Sequence, residues 1–358
     1  MTLTHDPALG RMRRNESPQD LQVSTYRRVR EAILANRHQL ARDYLGCFHD
    51  EALVNRRLYD QWLAATREYF LHKGLGEQKL AATCERVLRV IAPAGHPAWD
   101  RNSGWQRYLD LKDRLHADLS ATPPAAAAAL LEELEQAKEA WRLSHDMDVD
   151  TLLGLFDVVV DELGEAAIGE MLEQHILRGW FDKRYARFDV SRADWKESLP
   201  LLVYLSFEAM HGHMCGPQRQ GDVEYREFED RVEFQFDPCG SGGRAYRGEP
   251  LDGTGSRMQA PYGFKPLQGA YDFTWNKRGI CTYCAHCCVL TELMPAKAFG
   301  YPVRVVDPPS YPHSANAKCR YTIYKDPRAV PAEVYQRIGL TKPSADQPLG
   351  SEHGPFGG

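Results

Sequence analysis

The stretch that decides the fold is Thr151-Leu-Leu-Gly-Leu-Phe-Asp-Val-Val-Val-Asp-Glu-Leu163. Its apolar residues recur at intervals of three and four, as at Leu152, Phe156 and Val159, which is the pattern of an amphipathic helix with one buried face. The same pattern recurs upstream, beginning near Ser24. The sequence therefore predicts a bundle of helices for the first half of the chain.

Several helices are predicted in this half, and turn residues separate them. Their ranges are Tyr26–Leu45, Glu51–His72, Gln78–Ile91, Trp105–Leu119, Ala125–Leu143, Thr151–Leu163 and Ala166–Trp180. Breaks fall at Ala92–Pro97 and Thr122–Pro124, because proline does not continue a helix. Asp148 and Asp150 precede an apolar-periodic segment and are expected to cap it. We expect this half to act as a scaffold or as the surface of a homodimer.

After about residue 195 the pattern changes. One more apolar helix, Trp195–Met210, precedes a stretch in which apolar residues alternate with polar ones up to Phe236, as in a half-buried strand. Val223–Phe228 is expected to pair with that strand as a hairpin. A helix from about Thr282 to Phe299 and two strands complete the predicted elements. Those strands are Pro302–Val306 and Arg320–Tyr324.

The predicted fold class is therefore α+β, with an N-terminal helical bundle followed by a smaller mixed α+β domain that carries a cysteine-rich metal site. The bundle spans residues 21–192 and the second domain residues 193–339. Residues 1–20 are polar and lack periodicity, so we expect a disordered lead-in. Residues 340–358 are expected to form a flexible tail.

Composition excludes several classes of partner. The chain has 358 residues, a net charge of -5 and a pI near 6.2, so no basic field attracts nucleic acid or anionic lipid. The longest apolar stretch, Leu199–Phe207, is too short to cross a membrane, and the first residues lack the apolar core of a secretory signal. We expect a cytoplasmic protein whose partner is a small-molecule substrate.

The cysteines are concentrated in one region. The chain has nine of them, an odd number that argues against a framework of disulfides. Seven lie between residues 215 and 319, and four of these lie within eight residues. Such crowding in a reducing compartment indicates metal ligation or thiol chemistry.

The central motif is Cys281-Thr-Tyr-Cys284-Ala-His286-Cys287-Cys288. A C-x2-C step can place two sulfurs on one metal ion. If the segment is helical, positions 281, 284 and 288 form one stripe of sulfurs, and Cys287 lies off that stripe. The predicted metal ligands on this segment are therefore Cys281, Cys284 and Cys288. Cys287 is expected to be a buried bystander.

A further ligand must come from elsewhere in the chain. Cys239, directly after the alternating strand, is the first candidate, and Cys319, at the start of the final strand, is the second. Zinc is favoured over an iron–sulfur cluster, because the fourth Cys-Pro of a ferredoxin-type pattern is missing at the required interval. Two alternatives remain open: a zinc ion that only stabilises the fold, and buried cysteines without a metal.

Two neighbouring motifs offer further groups. In an extended segment, the side chains of His211, His213 and Cys215 would share a face and could converge on one ion; otherwise the histidines would cap the preceding helix. The glycine-rich turn from Cys239 to Arg244 could bind an anion through its backbone N–H groups, with Arg244 as a carboxylate clamp. The alternative for this turn is a plain loop.

The C-terminal part of the chain resembles a known family. Cys284 and Cys288 are followed by Gly300-Tyr-Pro-Val-Arg-Val-Val306 and by Lys318-Cys319-Arg-Tyr-Thr-Ile-Tyr-Lys325. This is similar to the ending of the L-2-amino-thiazoline-4-carboxylic acid hydrolase-like proteins and the related vinyl-reductase-type domains, over about 45 of 358 residues. The resemblance implies an α+β domain and hydrolysis of a small cyclic C–N or C–S substrate. The doubled Cys287-Cys288 and the long helical half depart from it.

Together these motifs predict a metal-dependent hydrolase that acts on a small anionic substrate. Zinc would lower the pKa of a bound water, Arg244 would hold the substrate, and Asp237 or His286 would transfer the proton. In an alternative form of this mechanism, a cysteine thiolate is the nucleophile, with His286 or His313 as its base. The alternatives are a non-catalytic ligand-binding or sensing protein with a structural zinc, and an iron–sulfur redox protein.

Overall fold

The computed structural model of the chain describes residues 3–91, 101–249, 251–312 and 318–351. It confirms an α+β fold in which helices dominate. The helices of the first half are α1 (Pro18–Leu21), α2 (Thr25–Leu34), α3 (His38–His72), α4 (Glu77–Ile91), α5 (Arg101–Ser120), α6 (Ala127–Leu163), α7 (Ala166–Glu170) and α8 (Arg178–Arg184). A π-helical turn, Met171–Ile176, and a 3-10 turn, Ala186–Phe188, flank α8. The predicted helix break at Ala92–Pro97 lies outside the described residues.

Two helices are longer than the sequence predicted. Helix α3 joins the two predicted segments that met near Asp50, and the break falls instead at Asn36, where φ is +55°. Helix α6 runs without interruption through Asp148 and Asp150, so the prediction that these residues cap a new helix is wrong. Their carboxylates are bound by arginine side chains of other segments and not by backbone N–H groups at a helix start.

The second half is built on a small antiparallel sheet. Helix α9 (Trp195–Gly212) leads into the predicted hairpin, which is confirmed. The four strands lie in the order β3-β4-β8-β7. They are β3 (Glu224–Glu227), β4 (Arg231–Phe236), β7 (Val305–Asp307) and β8 (Cys319–Tyr324). Short helix α10 (Gly242–Arg247) follows β4 after a tight turn.

The predicted cysteine-bearing helix is also present, but it begins later than expected. A two-stranded ladder of β5 (Pro266–Leu267) and β6 (Ile280–Cys281) precedes it. The helical run consists of α11 (Ala285–Cys288), a π-helical turn (Val289–Leu293) and α12 (Met294–Phe299). It ends at Gly300, whose φ of +84° favours glycine, as predicted. A 3-10 turn at Asp272–Thr274, another at Pro327–Ala329 and helix α13 (Ala332–Gln336) complete the fold.

The helical half and the sheet half share one hydrophobic core. Buried side chains of α3, α6 and α9 form a single cluster with those of β4, β8 and the cysteine-bearing helix. A second cluster packs α2, α5 and the first parts of α3 and α6 together. The expected boundary near residue 193 therefore does not separate two cores.

The chain ends differ from expectation. Within the predicted lead-in, β1 (Leu3–Asp6) and β2 (Arg11–Arg14) form an antiparallel hairpin. Arg14 is 1% exposed and donates to the Val23 carbonyl, which ties the hairpin to the core. At the other end, the N–H of Gly350 donates to the Phe299 carbonyl at 2.8 Å. Residues 340–351 therefore contact the domain. Of the described helices, none is long and apolar enough to span a membrane.

Candidate functional site

Four thiols surround one small cavity of about 40 Å³ in the second half of the molecule. They are Cys239, Cys284, Cys287 and Cys319. Two imidazoles and three phenols also line it. These are His213, His286, Tyr246, Tyr283 and Tyr321. We call this feature the thiol cavity. Its thiols come from three separate segments of the chain, so only the fold brings them together.

The register of the sheet explains why Cys239 and Cys319 meet. Strands β4 and β8 are antiparallel, and Phe236 at the end of β4 pairs with Cys319 at the start of β8. The turn after β4 then carries Cys239 back toward Cys319. Within that turn the Cys239 sulfur lies 3.2 Å from Ser241 Oγ and accepts a hydrogen bond from the Gly243 N–H at 3.5 Å. Cys239 and Cys319, the first and second candidates for the further ligand, therefore both line the thiol cavity.

The helix of the central motif presents different cysteines from those predicted. Cys281 lies in β6, before the helix, so the expected stripe of 281, 284 and 288 does not form. Cys284 and Cys287 are three residues apart on adjoining helical turns and share the face toward the cavity. Cys281 and Cys288 are each 0% exposed and do not line it, and Cys288 Sγ donates to the Asp272 carbonyl at 3.3 Å.

Burial keeps most of these thiols protonated. It raises the pKa of Cys287 and, with the neighbouring thiols Cys239 and Cys287, raises that of Cys319 well above the ordinary value. The hydrogen bond that Cys284 donates to Cys281, together with burial, raises the pKa of Cys284 well above the ordinary value. Burial also opposes ionisation of Cys281, but hydrogen bonds from Cys284 and from backbone N–H groups outweigh it and lower the pKa of Cys281. Within the C-x2-C pair, Cys281 therefore loses its proton more readily than Cys284 does.

His286 is held in a defined orientation at the wall of the cavity. Its Nδ1 lies 2.5 Å from the Tyr283 carbonyl oxygen, which can only accept, so Nδ1 carries the hydrogen. Its Nε2 lies 3.3 Å from Cys287 Sγ, and Tyr321 Oη lies 3.4 Å from the same sulfur. Burial lowers the pKa of His286 to about 4. The imidazole is therefore neutral and offers a lone pair toward Cys287.

The thiols do not form a preassembled metal site. Among the described residues, no group of three or more His, Cys, Asp and Glu side chains is arranged to hold a metal ion. The structure therefore does not support the predicted cysteine-rich metal site as it stands. Of the five predicted ligands, Cys239, Cys284 and Cys319 line the thiol cavity, whereas Cys281 and Cys288 do not. Cys287, expected to be a bystander, lines it.

Two of the three predicted catalytic residues have other partners. Arg244 is 0% exposed, and its guanidinium donates to Asp150 at 2.5 Å and to the Asp146 carbonyl at 3.2 Å. It is therefore not available to clamp a substrate carboxylate, and that prediction is wrong. Asp237 forms an ion pair with Arg247 and lines an open cleft of about 770 Å³ beside the thiol cavity.

The motif of His211, His213 and Cys215 does not converge on one point. It lies at the end of α9 and not in an extended segment. His211 contacts Glu51 at 3.1 Å and the Leu21 carbonyl at 2.9 Å, and Cys215 Sγ points to a methionine sulfur. Only His213 lines the thiol cavity.

The helical half contributes a polar network that the sequence did not predict. Tyr59 of α3 lies at the centre, and its hydroxyl is 3.1 Å from His145 Nε2, 3.1 Å from His213 Nδ1 and 3.2 Å from the Tyr283 hydroxyl. His145, on α6, also contacts Asp146 at 2.9 Å. Burial lowers the pKa of both histidines, so they are neutral at neutral pH. The available signal was the polar run Ser144-His145-Asp146 inside an apolar helix.

Comparison of the chain with models of protein families, with curated proteins and with solved structures gives no match. The function must therefore be argued from the residues of the thiol cavity themselves.

Proposed function

We propose that this protein binds a single thiophilic metal ion, zinc first among them, in the thiol cavity. The observation that carries the proposal is the convergence of four thiols from three segments on one small enclosed space. The ligands we infer are drawn from Cys239, Cys284, Cys287 and Cys319, no more than three of which bind when water or another donor takes a position of the tetrahedral zinc site. This retains three of the ligands predicted from the sequence and replaces the other two by Cys287.

A cavity of this composition suits a soft cation. Cavities within protein cores are few, because an unfilled one lowers stability. Thiolate sulfur and imidazole nitrogen are the ligands that zinc prefers in proteins. Each cysteine sulfur is carried by one rotatable bond, so rotation to another staggered position moves it without a change in the backbone. Binding would then draw the thiols inward and release their protons.

The size of the thiol cavity favours one ion over a cluster. A water molecule needs roughly 10–15 Å³ of such space, so about 40 Å³ accommodates an ion and one or two small ligands. An iron–sulfur cluster contains several iron and sulfide atoms and needs more room. The volume therefore supports a mononuclear site.

Hydrolysis is the second part of the proposal, and the neighbouring cleft is where we place the substrate. Phe236, Asp237 and Pro238 line the cleft, and the next residue, Cys239, lines the thiol cavity. Likewise, Lys318 lines the cleft and Cys319 lines the thiol cavity. A small substrate in the cleft would therefore lie close to the metal ligands, because the residues that line the cleft adjoin Cys239 and Cys319 in the sequence. His286 is the predicted proton-transfer group that lines the thiol cavity.

Metal analysis of the full chain, purified without an affinity tag, tests the metal site. We expect equimolar zinc, and we expect Cys284→Ser and Cys319→Ser each to lose it. Visible thiolate-to-iron charge-transfer absorption in anaerobically purified protein would instead indicate an iron–sulfur centre.

Adjacent cysteines provide the matched control. Cys287→Ser should lose the metal, whereas Cys288→Ser should retain it, because the Cys288 sulfur points to the Asp272 carbonyl. Loss of zinc in the 288 variant with retention in the 287 variant would overturn the assigned ligand set. Folded wild-type protein that never binds zinc, cobalt or iron would overturn the metal site altogether.

A second candidate function rests on the contact of 3.3 Å between Cys287 and His286. The Tyr283 carbonyl orients the imidazole, and the imidazole can accept the thiol proton, which is the arrangement of a cysteine nucleophile and its base. His313, the other predicted base, lies outside the described residues. Alkylation of chelator-treated protein by iodoacetamide tests this function. Cys287 should react at least about tenfold more slowly in His286→Asn than in the wild-type protein. Equal rates would exclude it.

A further inference from the structure

A chain of hydrogen bonds connects the thiol cavity to a buried carboxylate in the helical half. His213 Nδ1 lies 2.9 Å from His145 Nε2, and His145 Nδ1 lies 2.9 Å from Asp146 Oδ1. Asp146 is in turn fixed by Arg219 at 2.8 Å. His145 is 0% exposed and His213 is 7% exposed, so water does not compete for these contacts. The orientation of His213 is therefore set by His145 of α6 and by the Tyr59 hydroxyl of α3, which lies 3.1 Å from His213 Nδ1.

This chain of hydrogen bonds also determines which ring nitrogen of each imidazole carries the hydrogen. A carboxylate oxygen only accepts, so His145 carries its hydrogen on Nδ1 and has a lone pair on Nε2. A lone pair on His213 Nδ1 would face that lone pair at 2.9 Å, which is repulsive. His213 Nδ1 must therefore be the donor. Its Nε2 then holds the lone pair, and within the described part of the chain no hydrogen bond is made to that atom.

We propose that His213 Nε2 is a nitrogen ligand of the metal ion and binds beside no more than three of the thiols, so that the centre is a mixed sulfur–nitrogen site. This inference rests on the proposed function, because it concerns the same cavity. Histidines that bind metals donate their other ring N–H to an acceptor, which fixes the ring and makes the ligating nitrogen more basic. Here that acceptor is a second histidine, which Asp146 orients.

This assignment differs from the one that the motif suggested. His211, two residues earlier, is equally buried, but both of its nitrogens contact groups away from the thiol cavity, namely Glu51 and the Leu21 carbonyl. It therefore serves as a matched control: the same residue type, in the same segment, with no path to the proposed ion.

X-ray absorption at the zinc edge of the zinc-loaded full chain tests the proposal. The wild-type spectrum should require both sulfur and imidazole nitrogen in the first shell. His213→Ala should lose the nitrogen contribution and weaken zinc binding at least about tenfold, and added imidazole should restore both. His211→Gln should keep the wild-type spectrum. Because His213→Ala removes a buried ring, circular dichroism of each variant must first show the native helix content.

The outcomes separate this inference from the proposed function. An all-sulfur first shell in the wild type, or nitrogen that persists in folded His213→Ala, overturns the role of His213 and leaves the metal site intact. Folded wild-type protein that binds no zinc overturns the proposed function and this inference with it. If His213→Ala does not fold, the wild-type spectrum still decides, because a first shell without imidazole is incompatible with the proposal.

Discussion

At the residue scale, Gly242 helps to shape the thiol cavity together with the cysteines that line it. The turn between β4 and α10 approaches the cysteine-bearing helix so closely that a Cβ at position 242 would overlap the Cys284 sulfur. The backbone of Gly242 is not in the left-handed region, so alanine is allowed by its φ. The absence of a side chain at Gly242 is what gives the Cys284 sulfur its place.

We therefore predict that Gly242→Ala weakens zinc binding at least about tenfold without removing a ligand, because the displaced Cys284 sulfur no longer reaches the ion. Competition titration with a chromogenic chelator measures the affinity. Gly179→Ala is the control, since a Cβ added there would meet nothing within 4 Å. Equal affinities in the two variants would show that Cys284 is not a ligand.

At the element scale, ion pairs with buried carboxylates connect α6 to other segments of the chain. The carboxylates of Asp146, Asp148 and Asp150 point away from the helix axis and are bound by arginines from other segments. Asp148 has a fully buried side chain that lies 2.5 Å from Arg101. A buried carboxylate bound in this way links elements that are distant in sequence.

Asp148→Ala should lower the free energy of unfolding by about 1–3 kcal/mol, because Arg101 and Arg56 lose one carboxylate partner and keep the other, Asp60. Urea unfolding followed by circular dichroism gives the value. Glu85→Ala serves as the control: it removes an exposed pair with Arg89 and should change the free energy by less than about 1 kcal/mol. A similar small effect for both would mean that the Asp148 pairs contribute little.

The C-terminal segment is held by a second buried carboxylate. Asp189 is 1% exposed and accepts hydrogen bonds from the backbone N–H of Ser351 at 3.1 Å and of Ser191 at 3.0 Å. Burial opposes ionisation, but these bonds and the serine hydroxyls lower the pKa of Asp189 below its ordinary value. A carboxylate with a lowered pKa stabilises the fold above its ordinary pKa, and this stabilisation is lost as the pH falls through the pKa of the folded state.

Asp189→Ala should therefore cost about 2 kcal/mol at neutral pH, and the difference from wild type should shrink as the pH falls below the ordinary value of 3.8. Unfolding by urea at a series of pH values measures both. Asp182→Ala, which removes an exposed side chain paired with Arg178, should show no such pH dependence. A constant difference across the series would show that the ionised form is not what holds the segment.

At the scale of the whole molecule, α3 and α6 connect the two core clusters. Phe48 of α3 and Trp141 of α6 belong to one cluster, whereas Trp62 and Phe156 of the same helices belong to the other. Neither cluster can lose its packing while these two helices remain fully intact. The thiol cavity, which contacts both helices through the Tyr59 network, depends on this shared frame.

We predict a single cooperative unfolding transition for the full chain. Tryptophan fluorescence and circular dichroism should give coincident urea curves, because the helices that cross both clusters must unfold together. Residues 193–351 produced alone should lack native helix content. Separate transitions, or a folded C-terminal fragment that binds zinc, would show that the two halves are independent.

Most of the helices, the hairpin before Phe236 and the end of the helix at Gly300 can be predicted without a structure, because local periodicity and turn residues specify them. The crowding of cysteines between residues 215 and 319 is also visible without a structure. The sequence did not determine which cysteines face the thiol cavity, since that depends on where the helix begins. Because the helix starts at Ala285, Cys287 faces the thiol cavity and Cys281 does not.

The remaining features join residues that are far apart in the chain, so they become visible only once the helices and strands are packed together. Sequence reasoning treated Asp148 and Asp150 as helix caps and Arg244 as a substrate clamp; each has instead a buried partner of opposite charge that periodicity cannot reveal. The contact of His145 with His213 spans 68 positions. A local pattern specifies the face of a helix, but only the packed fold specifies what that face meets.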